Sequence, residues 1–116
     1  GYKVQGREAA AADKMLEDAA ALEGAGADLL LLECVPTGLG REITKSAKVP
    51  VIGIGAGPDV DGQILVLYDV LDIAPGKRTR FSKNYMEGSN SIQNAVGSYV
   101  TEVKGGKFPT ETYSFK

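Results

Sequence analysis

Apolar positions along this chain follow two rhythms, stripes at helical spacing and short unbroken runs. Gly1 to Arg7 is polar and glycine-bearing and reads as a loop. From about Glu8 to Ala25, Met15, Leu16, Ala19 and Leu22 form a stripe with Asp13, Lys14, Glu17 and Glu23 mostly around it, which predicts an amphipathic helix. Gly24 and Gly26 end it. Leu29-Leu30-Leu31-Leu32-Glu33-Cys34 then predicts a strand buried on both faces. Gly38 to Ala47, with Leu39, Ile43 and Ala47 at four-residue spacing, predicts a second helix, and Val49 to Ile54 a second buried strand closing in Gly55-Ala56-Gly57. Helix, strand, helix, strand with short loops is the order of a parallel α/β sheet.

The run Ile64 to Leu71 is ambiguous in composition. Parallel neighbours ordinarily need a crossover of about a dozen residues, and few separate this run from the strand before it. Ile64, Leu67, Tyr68 and Leu71 also fall at helical spacing, and Asp59 or Asp61 can cap a start. These points predict a helix over about 62–71, then a short strand around Arg80 to Tyr85. Ile92, Ala95, Val96, Tyr99, Val100 and Val103 predict a final helix, capped by Asn90 or Ser91 and ended by Gly105-Gly106. Pro109 to Lys116 reads as a polar tail bearing aromatics. Three strands cannot close a barrel, and a three-stranded parallel sheet leaves two long edges open. The expectation is a single unit over 1–116 that forms the second half of a larger α/β domain.

Composition narrows the chemistry. Thirteen basic and fifteen acidic residues give a net charge of −2, and neither sign forms a run, which argues against nucleic acid as a partner. No apolar run has the roughly 18 residues of a membrane helix, and no signal peptide is expected at the start. There is no histidine, so proton transfer falls to carboxylates, lysines, tyrosines or another chain. Cys34 is the only cysteine and reads as a small core hydrophobe in a reducing compartment, the cytoplasm.

Glu33 is the foremost candidate. In parallel α/β proteins the ligand site lies at the C-terminal ends of the strands. A carboxylate there, against apolar surroundings, suits general acid or base work; the alternative on the residues alone is a solvated glutamate at the start of a loop. Leu29, Leu31 and Glu33 share one strand face. Gly53-Ile54-Gly55-Ala56-Gly57 lacks both the dinucleotide spacing and the phosphate-loop lysine, so it reads as a tight turn or a close backbone approach to a substrate without phosphate. Tyr68 and Tyr99 read as packing residues.

Several segments together resemble the C-terminal part of the ketopantoate hydroxymethyltransferase family. They are Gly1-Tyr2-Lys3-Val4-Gln5-Gly6, Leu32-Glu33-Cys34-Val35-Pro36, Val49 to Gly57, Asp61-Gly62-Gln63-Ile64-Leu65-Val66, Arg80-Phe81-Ser82-Lys83-Asn84-Tyr85, Phe108-Pro109 and Tyr113-Ser114-Phe115. The resemblance spans essentially the whole chain. It implies the C-terminal half of a (β/α)8 TIM barrel, about strands six to eight with helices five to eight. It also implies hydroxymethyl transfer from 5,10-methylenetetrahydrofolate, the co-substrate, to 3-methyl-2-oxobutanoate, giving 2-dehydropantoate in pantothenate biosynthesis. Within it Glu33 takes the place of the proton acceptor.

The family's Mg²⁺ ligands, and the serine and lysine that hold the keto acid, belong to the first four strands, outside this chain. No metal ligand is therefore expected here, and Asp59, Asp61, Asp69 and Asp72 are not read as substitutes. Lys3 reads first as a solvated lysine, with contact to the folate or its glutamate tail as the alternative. The implied partners are an N-terminal half of the barrel and further copies in a homo-oligomer. The segment after Gln5-Gly6 is short and alanine-rich, and Asp72-Ile73-Ala74-Pro75 stands where the family leads one to expect a glycine-bearing turn. The rival readings are a lyase or mutase of the wider phosphoenolpyruvate/pyruvate barrel group and a non-catalytic half barrel.

Overall fold

The computed structural model describes residues 3–116, so Gly1 and Tyr2 of the expected opening loop lie outside the described residues. Helix α1 spans Ala9–Gly24. It ends as its glycines predict, with the Ala25 N–H donating to Ala21 O and the Gly26 N–H to Glu23 O, and with Gly26 in the left-handed region at φ 101°. Strand β1 is Leu30–Glu33, helix α2 is Thr37–Ser46 and strand β2 is Val51–Ile54. The strands are parallel, with Leu31 opposite Ile52 and Glu33 opposite Ile54.

One face of this sheet carries the main core. Leu30, Leu32 and Val51 pack with Val35, Leu39 and Ile43, and Met15, Leu16 and Ala19 of α1 close over them. The Glu23 carboxylate accepts the Lys48 and Val49 N–H groups at 2.6 and 3.3 Å, tying the approach to β2 to the end of α1.

The other face departs from the expectation of strands buried on both sides. Leu29 and Leu31 are 53% and 55% exposed, and burial along β1 simply alternates. Among the described residues that face is open at Leu29 and Leu31, so the leucine run is half-buried here, while Ile54 at the strand end is covered by Cys34 and Phe81. Between α1 and β1 an apolar groove of about 280 Å³ runs past Met15, Leu22, Leu29 and Leu31.

The expected helix over 62–71 is corrected. Gly62–Gln63 is a third parallel strand, β3, beside β2, and only Leu67–Val70 is helical, as α3. Segment 55–61 makes the crossover in far fewer residues than a helical connection needs, returning along β2 as irregular chain with Val60 packed against the helix-side core. Backbone pairing then decides the outcome. The Asp61 N–H donates to Val51 O, the Asp61 carboxylate accepts the Val51 N–H at 2.8 Å, and the Ile64 N–H donates to Gly53 O. These bonds satisfy the polar edge of β2, which a helix could not do. Asp61 thus serves the strand edge and caps no helix. The expected strand at 80–85 is likewise replaced by turns and irregular chain.

Helix α4, Ile92–Lys104, is capped by Ser91, whose hydroxyl accepts the Asn94 N–H at 3.0 Å. Its core is aromatic. Tyr85 packs edge-on against Tyr99 and Phe108, with centroids 5.4 and 5.9 Å apart, and Val70 and Ala95 fill the cluster. Tyr99 also donates its hydroxyl to Gln63 O, linking α4 to the sheet. Beside it Glu102 accepts from Lys83 at 3.0 Å and from the Tyr85 hydroxyl. Burial works against the Glu102 charge, but these two hydrogen bonds together with the Lys83 and Lys107 charges outweigh it and lower its pKa. Burial, and then the Glu102 bond, push the Tyr85 phenol upward. The chain ends beyond a 3₁₀ turn at Glu111–Tyr113.

Asp72 has φ 58°, the left-handed backbone that a glycine-bearing turn would supply. Arg78 offsets the misfit by pairing with the Asp72 carboxylate and donating to Asp69 O at 2.9 Å. Left-handed backbone costs a non-glycine residue about 1–2 kcal/mol, less for Asp, whereas an exposed ion pair contributes about 0–1 kcal/mol. Asp72→Gly should therefore move stability by under about 0.5 kcal/mol, the two effects nearly cancelling. Asp72→Val should cost about 2 kcal/mol, since a β-branched residue fits this region worst. Urea unfolding midpoints of both variants check the pair.

Candidate functional site

Glu33 is the last residue of β1, its side chain exposed and on the uncovered face with Leu31 and Ile52. The residue after it makes a sharp turn. Cys34 has φ 54°, although it is neither glycine nor asparagine, and it is 3% exposed. Such a conformation costs about 1–2 kcal/mol and persists only where its surroundings over-determine it. Here the Cys34 N–H donates to Ile54 O at 3.0 Å, and the Cys34 carbonyl accepts the Gln5 N–H at 2.8 Å. The Val35 N–H then donates to Gly55 O, so the turn is fastened on both sides.

The side chain of Cys34 packs with Ile54 and Phe81, and Leu65 and Phe115 border the cluster. Gly55 sits beneath the Phe81 ring at φ 71°, and a Cβ there would come within 2.9 Å of it. Phe115 meets Phe81 edge-on at 6.3 Å and carries the Arg80 guanidinium 5.9 Å above its ring. The Phe115 carbonyl accepts the Thr37 N–H at the start of α2, and Arg7 Nε donates to the Lys116 carbonyl at 3.3 Å. The opening loop, the 80–81 turn and the C-terminal tail thus meet at the strand ends, where Phe81 and Phe115 wall the turn that follows Glu33.

Burial, and then the neighbouring Glu33 charge, push the Cys34 thiol upward, which keeps it protonated and inert at neutral pH. The core-hydrophobe reading of Cys34 holds, but its left-handed turn was not legible, because nothing in Glu-Cys-Val-Pro marks a positive φ. Phe81 and Phe115 were missed as wall residues. The signal for Phe81 was Gly55, whose missing side chain makes room for a ring. The glycine segment after β2 is a tight turn, as one of its two readings had it. The Gly57 carbonyl accepts from Gln63 Nε2 at 2.8 Å, and a Cβ on Gly57 would strike Thr37. Lys3 is exposed, and its carbonyl accepts from Gln5 Nε2 at 3.1 Å.

The acidic side chains do not converge. Asp59 pairs with Arg41 at 2.7 Å, Asp61 holds the Val51 N–H and Asp72 holds Arg78. Among the described residues no three Cys, Asp or Glu groups come together in a way that could hold a metal ion. A hard cation such as Mg²⁺ needs several oxygen donors around it, and Glu33 by itself does not make that set. No helix among the described residues is long and apolar enough to cross a membrane.

Comparison with known proteins points one way. A family model described as ketopantoate hydroxymethyltransferase matches residues 1–111. A 3-methyl-2-oxobutanoate hydroxymethyltransferase from Alkalilimnicola ehrlichii is 64% identical over 115 residues, covering 99% of this chain and 42% of the relative. A second such protein, from Hahella chejuensis, is 58% identical over 99% of this chain and 44% of its own length. One from Marinobacter nauticus is 53% identical over 100% of this chain and 44% of the relative. The chain spans less than half the length of these curated relatives. A carboxylate at the end of a parallel strand, and a match running from the opening loop through the 3₁₀ turn's first residue, lead to one conclusion: the chain belongs to the ketopantoate hydroxymethyltransferase family.

Proposed function

We propose that this chain is the C-terminal half of a (β/α)8 barrel that transfers a hydroxymethyl group from 5,10-methylenetetrahydrofolate to 3-methyl-2-oxobutanoate, with Glu33 as the base. The observation that carries this is the position of Glu33, on the uncovered sheet face at the C-terminal end of β1. In a completed barrel that face would turn inward and the strand end would open among the βα loops. Leu29 and Leu31, exposed here, would become interior side chains.

The chemistry needs a base at that place. A Glu33 carboxylate oxygen takes the C3 proton of the keto acid, leaving an enolate. C3 then bonds to the methylene carbon of the folate, the two C–N bonds to that carbon break, and water supplies the hydroxyl oxygen of the product, 2-dehydropantoate, while the proton taken by Glu33 and the second proton of the water pass to the two folate nitrogens. The buried cluster of Cys34, Ile54 and Phe81, bordered by Phe115, gives the strand end that carries the base a packed support. Mg²⁺ and its ligands are assigned to the part of the full-length protein outside this chain. A cytoplasmic location, a homo-oligomeric assembly and a role in pantothenate biosynthesis belong to the same proposal.

The test is exchange of the substrate C3 proton with D₂O, together with formation of 2-dehydropantoate. The full-length protein supplied with Mg²⁺ should do both, and the 116-residue chain by itself should do neither. A folded, Mg²⁺-supplied full-length protein that exchanges no C3 proton would favour the non-catalytic half-barrel reading instead.

A further inference from the structure

Along a regular strand, consecutive side chains point to opposite faces. Leu32 packs into the helix-side core, and Glu33 stands on the opposite face with Ile54 as its partner in register. Were β1 to continue regularly, Cys34 would return to the helix side with Leu32. Its left-handed backbone prevents this, and the thiol packs against Ile54 and Phe81 instead. Residues 33 and 34 therefore lie side by side at the strand end, the carboxylate exposed and the thiol buried.

We propose that Cys34 is a positioning residue for Glu33, and that its left-handed turn is the part of the fold that sets where the carboxylate stands. This rests on the reading of Glu33 as the base. Three features act together. The Cys34 N–H to Ile54 O bond anchors the Glu33–Cys34 peptide to β2 at the level of Glu33's own partner. The Gln5 N–H to Cys34 O bond draws the opening loop over the same strand end. The small apolar side chain fills the space beneath Phe81 without placing a hydrogen-bonding group beside the carboxylate. A larger or β-branched residue cannot hold this turn and would straighten it. Straightening would turn side chain 34 toward the helices and swing the Cys34 carbonyl away from Gln5, releasing the opening loop from the strand end that carries the carboxylate and disturbing its place relative to C3 of the substrate. The ladder bond to Ile54 would remain. Misplacement of a reacting group by about 1 Å can cost about 100-fold in rate.

The experiment uses full-length enzyme and compares Cys34→Val, Cys34→Gly and Cys34→Ala per folded molecule, reading kcat and KM separately alongside C3-proton exchange. Glycine adopts φ 54° freely and alanine keeps the small volume. The expected result is kcat lower by about 100-fold in Cys34→Val with KM changed less than about threefold, and kcat within about tenfold of wild type in Cys34→Gly and Cys34→Ala. A folded Cys34→Val enzyme with wild-type kcat overturns the proposal. So does an equal loss in all three variants, which would mark packing volume rather than backbone direction as what matters. If Cys34→Val fails to fold, Cys34→Gly and Cys34→Thr decide by the same kcat comparison. Exchange that survives Glu33→Gln would sink the base reading itself, and that outcome is separate from any result at position 34.

Discussion

In the full-length enzyme, Glu33→Gln is expected to abolish C3-proton exchange above background and to lower kcat by about 10²- to 10⁴-fold, the usual contribution of a positioned general base. Glutamine keeps the shape of the side chain but cannot accept the proton, so substrate binding should persist and KM should move far less than kcat. Stability should hardly change, within about 0.5 kcal/mol. Glu33 is exposed on the uncovered face, and among the described residues it forms no ion pair whose loss would unfold the strand. The two readouts must therefore separate, with activity lost and the unfolding midpoint retained. Exchange at the wild-type rate in Glu33→Gln would remove this residue from the chemistry, whatever the family resemblance implies.

The same residue shows how far the sequence can be read. Leu29 to Glu33 announced a strand and its end because an unbroken leucine run followed by an acid has few other physical solutions. The helices α1, α2 and α4 were legible from their apolar stripes, although Leu22, Ile92 and Val100 of those stripes are exposed, and Ser91 was legible from its capping chemistry. What was not legible depends on distant partners. Gly62–Gln63 becomes a strand because β2 has unpaired backbone on that edge, a need invisible in the local pattern of 62–71. The burial of β1 on one face and not the other depends on what lies across from it. Phe81 and Phe115 reach the strand ends through turns and a tail that carry no periodic signal. The left-handed Cys34 is held by Gln5 and Ile54, both remote in sequence. Asp72 is the instructive contrast. Family resemblance pointed to a glycine-type turn at that place, and the backbone there is indeed left-handed, with Arg78 in support.

Leu31→Lys in the full-length protein should lower stability by about 3–5 kcal/mol, the cost of leaving a buried charge without a partner. Ile73→Lys should stay within about 0.5 kcal/mol, as surface substitutions do. Within this chain the two positions look alike, Leu31 being 55% exposed and Ile73 62% exposed. The difference arises only if the face bearing Leu31, Ile52 and Glu33 is covered in the whole molecule, as a closed barrel requires, while the loop at Ile73 remains in solvent. Against a typical total stability of about 5–15 kcal/mol, the Leu31 substitution would remove a large fraction, and chemical unfolding of the two variants would separate them plainly. Equal, small effects at both positions would mean that the Leu31 face stays wet in the full-length protein. The barrel-closing role of this half would then fail, and Glu33 would stand at the open edge of a sheet, without the enclosed site that its chemistry needs.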